Sequence, residues 1–275
     1  MKLVVQGQHA LQHLSHIAAL AGGGQFTQTT DKAYRLDVAA PVAEITAYCA
    51  AQQLDCAFVP DHLTLSNIGL LVMDMDSTLI AIECIDEVAD MLDMKPQVAA
   101  ITESAMRGEM EFSESLRRRV ALLKGLDESA LQKVYDERLK LSPGAEIMIA
   151  TLKKNGIKTM LVSGGFTFFT DKLKARLGLD YAEANLMNIV DGRITGNVVG
   201  EVLDAQAKAD HLTRTRLELG LEQSQVIALG DGANDLKMMA VAGAGIAYHA
   251  KPVVQAQATF ALNYTGLEGV IGLLA

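Results

Sequence analysis

Two aspartates two residues apart, in Asp74-Met75-Asp76-Ser77-Thr78, directly follow the apolar run Leu70-Leu71-Val72-Met73. A carboxylate at the end of a buried strand can attack phosphorus and form an acyl phosphate, which splits a hard hydrolysis into two easier displacements. An anion approaching a phosphate dianion needs a cation between them, and Mg2+ held by carboxylate and backbone oxygens supplies it. The second carboxylate is then free to protonate the leaving oxygen and later to deprotonate water. Turns rich in Asp and Ser are also common at strand ends, so this pentapeptide alone does not decide. Two further loops share its setting. Ser163-Gly164-Gly165 follows the β-prone stretch 158–162, and a hydroxyl with exposed backbone N–H groups makes a phosphate cradle. Gly230-Asp231-Gly232-Ala233-Asn234-Asp235 follows the apolar stretch 226–229. Its carboxylates suit a magnesium site that keeps several waters, and its glycines allow close backbone approach. Either loop read alone is also compatible with an ordinary turn.

The elements that must position these loops are legible as patterns. The three apolar runs read as strands buried on both faces of a parallel sheet. Helices are expected between them. One is predicted to start at Ser142-Pro143, with Ser142 as N-cap and Pro143 at the first helical position, and to stop at Gly156 after Lys153-Lys154. Another is predicted to end at Gly178. Strands alternating with helices imply a doubly wound α/β unit whose ligands bind at the carboxyl edge of the sheet. The stretch 85–139 breaks the rhythm and reads as almost wholly helical, an inserted cap over that edge. Asp191-Gly192 and Gly196 predict a hairpin.

Upstream lies a small α+β pattern. Leu3-Val4-Val5 reads as a strand, and 9–20 as a helix with Leu11, Leu14 and Ala18 on one face, ended by Gly22-Gly23-Gly24. A strand over 33–39, a helix over 42–53 and a strand near Ala57-Phe58-Val59 complete a ferredoxin-like module. The expected division is 1–66 for this module and 67–275 for the α/β unit, with the cap inserted at about 83–140.

The 275 residues are half apolar and 21% charged, which supports a buried core and argues against disorder. A net charge of −9 repels nucleic acid and anionic membranes, and Arg117, Arg118 and Arg119 are the one local basic run. Three cysteines without a C-x-x-C pair fit free thiols in a reducing compartment. No apolar h-region opens the chain and no long apolar stretch interrupts it, so a cytoplasmic protein is expected. His9, His13 and His16 lie near one helical face without a fourth ligand and read as a solvated surface. Cys84 beside Glu83 reads as an inert thiol.

Three such loops in this order, each after its own strand and with a helical insert after the first, resemble the haloacid dehalogenase (HAD) superfamily of phosphotransferases from about residue 67 onward. The resemblance implies that Asp74 is the nucleophile, Asp76 the general acid/base and Ser163 the hydroxyl after the second strand. It makes Lys208, in Leu203-Asp204-Ala205-Gln206-Ala207-Lys208, the family lysine and 230–235 the acidic motif. Within the superfamily the chain is similar to the phosphoserine phosphatase family. That narrower likeness rests on Glu83, the run Phe112-Ser113-Glu114-Ser115-Leu116-Arg117-Arg118-Arg119-Val120 and Val162-Ser163-Gly164-Gly165-Phe166. Gly178-Leu179-Asp180-Tyr181-Ala182, Gly200-Glu201-Val202 and Ala250-Lys251-Pro252 add to it. It implies a Mg2+-dependent hydrolysis of O-phospho-L-serine, the last step of serine biosynthesis. The metal would sit on Asp74, the Asp76 backbone carbonyl and Asp231. Asn234 and Asp235 would support the metal or contact substrate, and Gly164, Gly165 and Lys208 would join Ser163 around the phosphoryl oxygens.

Such a substrate carries an ammonium, a carboxylate and a phosphate, and each must be matched when buried. Glu83 can face the ammonium and an arginine can grip the carboxylate in a bidentate fork. Consecutive helical residues point about 100° apart, so the pattern leaves Arg117, Arg118 and Arg119 open. The resemblance selects Arg119. Met106 and Phe112 read first as core residues, with an apolar lid wall as the alternative role for either. For the N-terminal module the resemblance implies a regulatory amino-acid-binding (ACT-like) domain, feedback by serine and a possible homodimer. The competing readings are a HAD-type phosphatase or phosphotransferase acting on another small ester, and a non-catalytic regulatory binding protein. An intact set of Asp74, Asp76, Lys208 and Asp231 argues against the last.

Overall fold

The computed structural model describes residues 1–106 and 109–275, with the Met106 side chain outside that description. The chain opens with β1 (Lys2–Gln6), a short 3-10 turn and α1 (Leu14–Leu20). β2 (Thr27–Thr30), β3 (Ala33–Asp37), α2 (Ala43–Ala51) and β4 (Asp55–Val59) follow. The four strands form one sheet in the order β2-β3-β1-β4, with β1 antiparallel to β3 and β4. This is the ferredoxin-like arrangement, with one strand more than the sequence pattern indicates. The missed strand, Thr27-Gln28-Thr29-Thr30, is a polar edge strand and carries no alternation to read.

A second sheet begins with β5 (Leu70–Met73), all of it buried. The inserted helices α3 (Cys84–Asp90), α4 (Lys95–Met106), α5 (Phe112–Leu122) and α6 (Ser129–Glu137) come next. After them run α7 (Ala145–Lys154), β6 (Lys158–Phe166), α8 (Thr167–Leu177), β7 (Tyr181–Val190) and β8 (Arg193–Val199). The chain closes with α9 (Ala205–Glu218), β9 (Val226–Gly230), α10 (Leu236–Val241), β10 (Ala244–Tyr248), α11 (Pro252–Gln255), β11 (Phe260–Leu262) and α12 (Glu268–Leu274). The sheet order is β11-β10-β9-β5-β6-β7-β8, parallel except for the antiparallel β7–β8 pair. The order reverses at β5, so Asp74 lies at the switch point where a doubly wound sheet opens a crevice.

Alternation along the strands divides the core in two. Leu70, Val72, Met160 and Val162 pack with Leu212, Met238 and Met239 on one face. Leu71, Met73 and Leu161 pack with Met148, Leu152, Phe169 and Leu173 on the other. Among the described residues no helix is long and apolar enough to cross a membrane.

The helical insert leaves and rejoins the α/β unit through a paired stalk, with an Ile80–Leu141 bridge and the Ala81 N–H on the Lys140 carbonyl at 2.9 Å. The Asp191-Gly192 hairpin forms as expected, with φ of +50° and +73°, the two left-handed residues of a tight primed turn. Ser142 does not cap α7. The helix starts at Ala145, after Gly144 at φ +77°. Ser142 instead donates its N–H to Leu79 (3.0 Å) and accepts the Ala145 N–H (3.1 Å), closing the stalk. A Cβ on Gly144 would lie 2.6 Å from the Glu268 backbone nitrogen, so α12 excludes any side chain there. β6 also continues through Ser163-Gly164-Gly165, where the ladder to β7 is broken by a bulge rather than ended.

The small sheet is clamped to the rest. Asp55 is 3% exposed and accepts the N–H groups of Asn263 (2.7 Å) and Thr265 (2.8 Å) and the Thr265 hydroxyl (2.7 Å). Gln6 donates to the Gly269 carbonyl at 3.1 Å, and Arg35 reaches the Leu273 carbonyl.

Candidate active site

Asp74 leaves β5 with its N–H still on the Leu229 carbonyl (3.0 Å), so β9 fixes its direction. Its carboxylate is buried and receives the Lys208 ammonium at 2.6 Å. Lys208 stands one turn into α9 and is 1% exposed; it donates also to Asp235 at 2.8 Å. α9 is anchored by Asp204, whose side chain accepts the Gln206 and Ala207 N–H groups at 2.9 Å. Burial and the Asp235 charge push the Asp74 carboxyl well above the usual range, while Lys208 opposes them. Burial works against the Lys208 charge, but Asp235 and Asp74 outweigh it and raise the ammonium.

Asp76 faces the cradle. Burial raises its carboxyl, and the Cys84 N–H, bonded at 2.9 Å, works the other way. Ser163, fully buried, points its hydroxyl at Asp76 from 3.5 Å and accepts the Gly165 N–H at 2.8 Å. A Cβ on Gly165 would sit 2.9 Å from Asp76 Oδ2 and 3.0 Å from Ser163 Oγ, so only glycine leaves this space open. Asp231 is raised to about 6 by burial and by Asp235, against a 3.1 Å hydrogen bond from Thr78. Asp235 folds back under its own loop and accepts the Gly232 N–H at 3.1 Å. Asn234 is half-buried in the same loop.

Asp74, Asp231 and Asp235 bring one carboxylate oxygen each within 4.8 Å of one another. With Asp76 they set four carboxylates against one ammonium. Hard oxygen donors carrying that excess of negative charge fit a hard divalent cation.

The helical insert supplies the far side. Ser77, in the left-handed region at φ +54°, donates to Glu83 at 2.7 Å. Glu83 is open to solvent on one side; desolvation on the other, then the Asp76 charge, raise its carboxyl to about 7. Of the three consecutive arginines, Arg117 reaches the Gly200 carbonyl and Arg118 pairs with Glu114 at the surface. Arg119 turns inward. Burial lowers its guanidinium, Asp86, Glu83 and Asp76 support the charge, and its buried Nε has no hydrogen-bond partner among the described residues. Phe112 reaches the cradle, where a Cβ on Gly164 would be 2.8 Å from its Cζ. Met106 lies outside the described side chains.

Apart from Met106, the residues expected from the sequence therefore converge at one edge of the sheet. Three contributors were not anticipated. Thr78 holds Asp231 and was visible as the last residue of the aspartate pentapeptide. The Cys84 N–H holds Asp76 and has no side-chain signature. Asn185 bonds the Gly164 carbonyl, and its one signal is a polar residue within a β-prone stretch.

The sequence signature of the haloacid dehalogenase-like hydrolases matches residues 68–243. A phosphoserine phosphatase of Polaromonas sp. is 50% identical over 220 residues, covering 78% of this chain and 93% of that protein. One from Haemophilus influenzae is 52% identical over 223 residues, covering 81% of this chain and 71% of that protein. The unliganded crystal structure of a probable phosphoserine phosphatase from Vibrio cholerae superposes with a TM-score of 0.88 at 41% identity, covering 99% of this chain and 85% of that one. With the strand that carries Asp74 at the switch point and a helical insert over the same edge, the chain belongs to the phosphoserine phosphatase family of haloacid dehalogenase-like hydrolases.

Proposed function

We propose that the chain hydrolyses O-phospho-L-serine to L-serine and phosphate through a phosphoaspartate on Asp74. The observation that carries the substrate is the pairing of two groups across from the Asp74–Lys208 pair. Arg119 offers for a carboxylate a buried Nε that has no partner among the described residues, and Glu83 offers an acid for an ammonium. A sugar phosphate would need neither.

In the first step an Asp74 oxygen bonds to phosphorus as the bond to the serine oxygen breaks, and Asp76 gives that oxygen its proton. In the second, Asp76 takes a proton from water, the water oxygen bonds to phosphorus, and the bond to Asp74 breaks. The raised Asp76 carboxyl suits it to hold a proton before the first step. Lys208 donates to Asp74, favouring its carboxylate against burial and Asp235, and meets the phosphoryl oxygens, and Ser163 with the Gly164 backbone meets others. Asp74, Asp231 and the Asp76 backbone carbonyl would hold Mg2+, with Asp235 and Asn234 around them. Bound there, the ion neutralises phosphoryl charge. Phe112 and the rest of the insert exclude water while the phosphoryl group is in transit.

The test is phosphate release from O-phospho-L-serine, with Mg2+ and with a chelator, beside phosphothreonine and a sugar phosphate. Metal-dependent release from phosphoserine is expected, with loss of turnover in a folded Asp74→Asn variant. Faster release from the sugar phosphate would overturn the roles of Glu83 and Arg119, and turnover by Asp74→Asn would overturn the nucleophile.

A further inference from the structure

We infer that Asn185 is a positioning residue that sets both phosphate-binding elements of the site at once; the assignment rests on the phosphatase reading above. Asn185 lies on β7 and is 3% exposed. Its amide spans two segments that share no ladder. Nδ2 donates to the Gly164 carbonyl at 2.8 Å, and Oδ1 accepts the Leu203 N–H at 2.7 Å. One orientation of the amide satisfies both bonds, because the flipped one would set donor against donor and acceptor against acceptor.

Each bond leads to the reacting groups. The β6–β7 ladder breaks between Val162 and Phe166, so 163–165 bulges away from β7 and the Asn185 side chain stands in for the missing backbone partner. A trans peptide points its C=O and N–H in opposite directions. Holding the Gly164 carbonyl therefore aims the Gly165 N–H at Ser163 Oγ (2.8 Å), and that hydroxyl faces Asp76 Oδ2 at 3.5 Å. On the other side, Leu203 precedes Asp204, the N-cap of α9. The Lys208 N–H bonds the Asp204 carbonyl at 3.0 Å, so the place where α9 starts decides where the Lys208 ammonium meets Asp74. Two loops that approach the phosphate from different strands are thus tied to one rigid side chain on a third. The serine end of the site, at Glu83 and Arg119, has no bond to Asn185.

The discriminating readout is therefore a split between the two ends. The Mg2+-loaded full-length protein and its Asn185→Leu and Asn185→Asp variants are compared for phosphoserine turnover and for inhibition by orthophosphate and by L-serine. Asn185→Leu removes both bonds. Asn185→Asp keeps the acceptor for Leu203 and sets a carboxylate oxygen against the Gly164 carbonyl. Loss of one buried hydrogen bond changes an equilibrium by about tenfold. Both variants should lose about tenfold or more in kcat and in orthophosphate affinity, with L-serine inhibition unchanged within about twofold. Equal weakening of orthophosphate and L-serine would mean general loosening and would overturn the assignment, as would no change in either. If Asn185→Leu does not fold, the isosteric Asn185→Asp carries the test. If the wild type does not cleave phosphoserine, the substrate reading fails by itself, and a phosphorus NMR titration with orthophosphate still decides the role of Asn185.

Discussion

Lys208→Met is the sharpest perturbation of the buried charge cluster. The ammonium is 1% exposed and donates to Asp74 at 2.6 Å and to Asp235 at 2.8 Å, so its removal strands two carboxylates without a counter-charge. Breaking a buried pair from one side costs about 3–5 kcal/mol. For a chain of this size that corresponds to a drop in melting midpoint on the order of 10 °C. The loss should depend on pH. Asp74 already titrates above its unfolded value because of burial and Asp235, and losing Lys208 raises it further. In the window from about 3.9, the unfolded carboxylate value, up to the raised folded value, the native state then holds more protons than the unfolded one, so stability falls as pH rises. The gap between wild type and Lys208→Met should accordingly be small near pH 4 and widen toward neutrality. The assay is urea unfolding in chelator at several pH values, because an added divalent cation would replace the missing charge and shrink the gap. A loss below about 1 kcal/mol that does not change with pH would refute the view of Lys208 as the counter-ion that makes this cluster tenable.

Glu83 is ionised above about 7 and protonated below it, and only the carboxylate can neutralise an ammonium. Phosphoserine kcat/KM should therefore decline as pH falls through that value, and Glu83→Gln should raise KM about tenfold or more and flatten this limb; a limb that persists in Glu83→Gln belongs to another group. Mg2+ should raise the melting midpoint of the wild type and leave Asp231→Asn unshifted, since that variant removes one of the three clustered carboxylates. Equal stabilisation of both proteins would move the metal elsewhere. Asp55→Ala should cost about 1–3 kcal/mol in chemical unfolding, because buried N–H groups at Asn263 and Thr265 lose their acceptor. Activity per folded molecule should not change, as Asp55 lies outside the site; a fall in kcat would instead couple the small sheet to catalysis.

Local pattern alone placed the candidate groups at the ends of strands. Four-residue apolar runs bounded by Asp, Ser and Gly are determined within a few positions of the chain. Asp74, Ser163 and Asp231 were therefore legible as a set, as was the α/β architecture with its helical insert. The hairpin at Asp191-Gly192 was legible for the same reason, since its backbone demands those residues. Capping chemistry misled at Ser142-Pro143, because the stalk and α12 claim the backbone groups that a cap would have used.

What lay outside the sequence is what depends on packing across long separations. Lys208 meets Asp74 across 134 positions, and nothing in its helix distinguishes it from a solvated lysine until α9 is docked. Among three consecutive arginines, the rotation of α5 on the β7–β8 hairpin turns Arg119 inward and leaves the other two at the surface. Asp235 becomes a buried partner of Lys208, and Asn185 a brace between two loops, only because neighbouring strands carry those loops to one edge. Residue type and spacing determine which local structure and which chemistry a segment can offer. The tertiary fold decides which of those groups share a low-dielectric space, and there a charge or hydrogen bond is strong enough to govern the reaction.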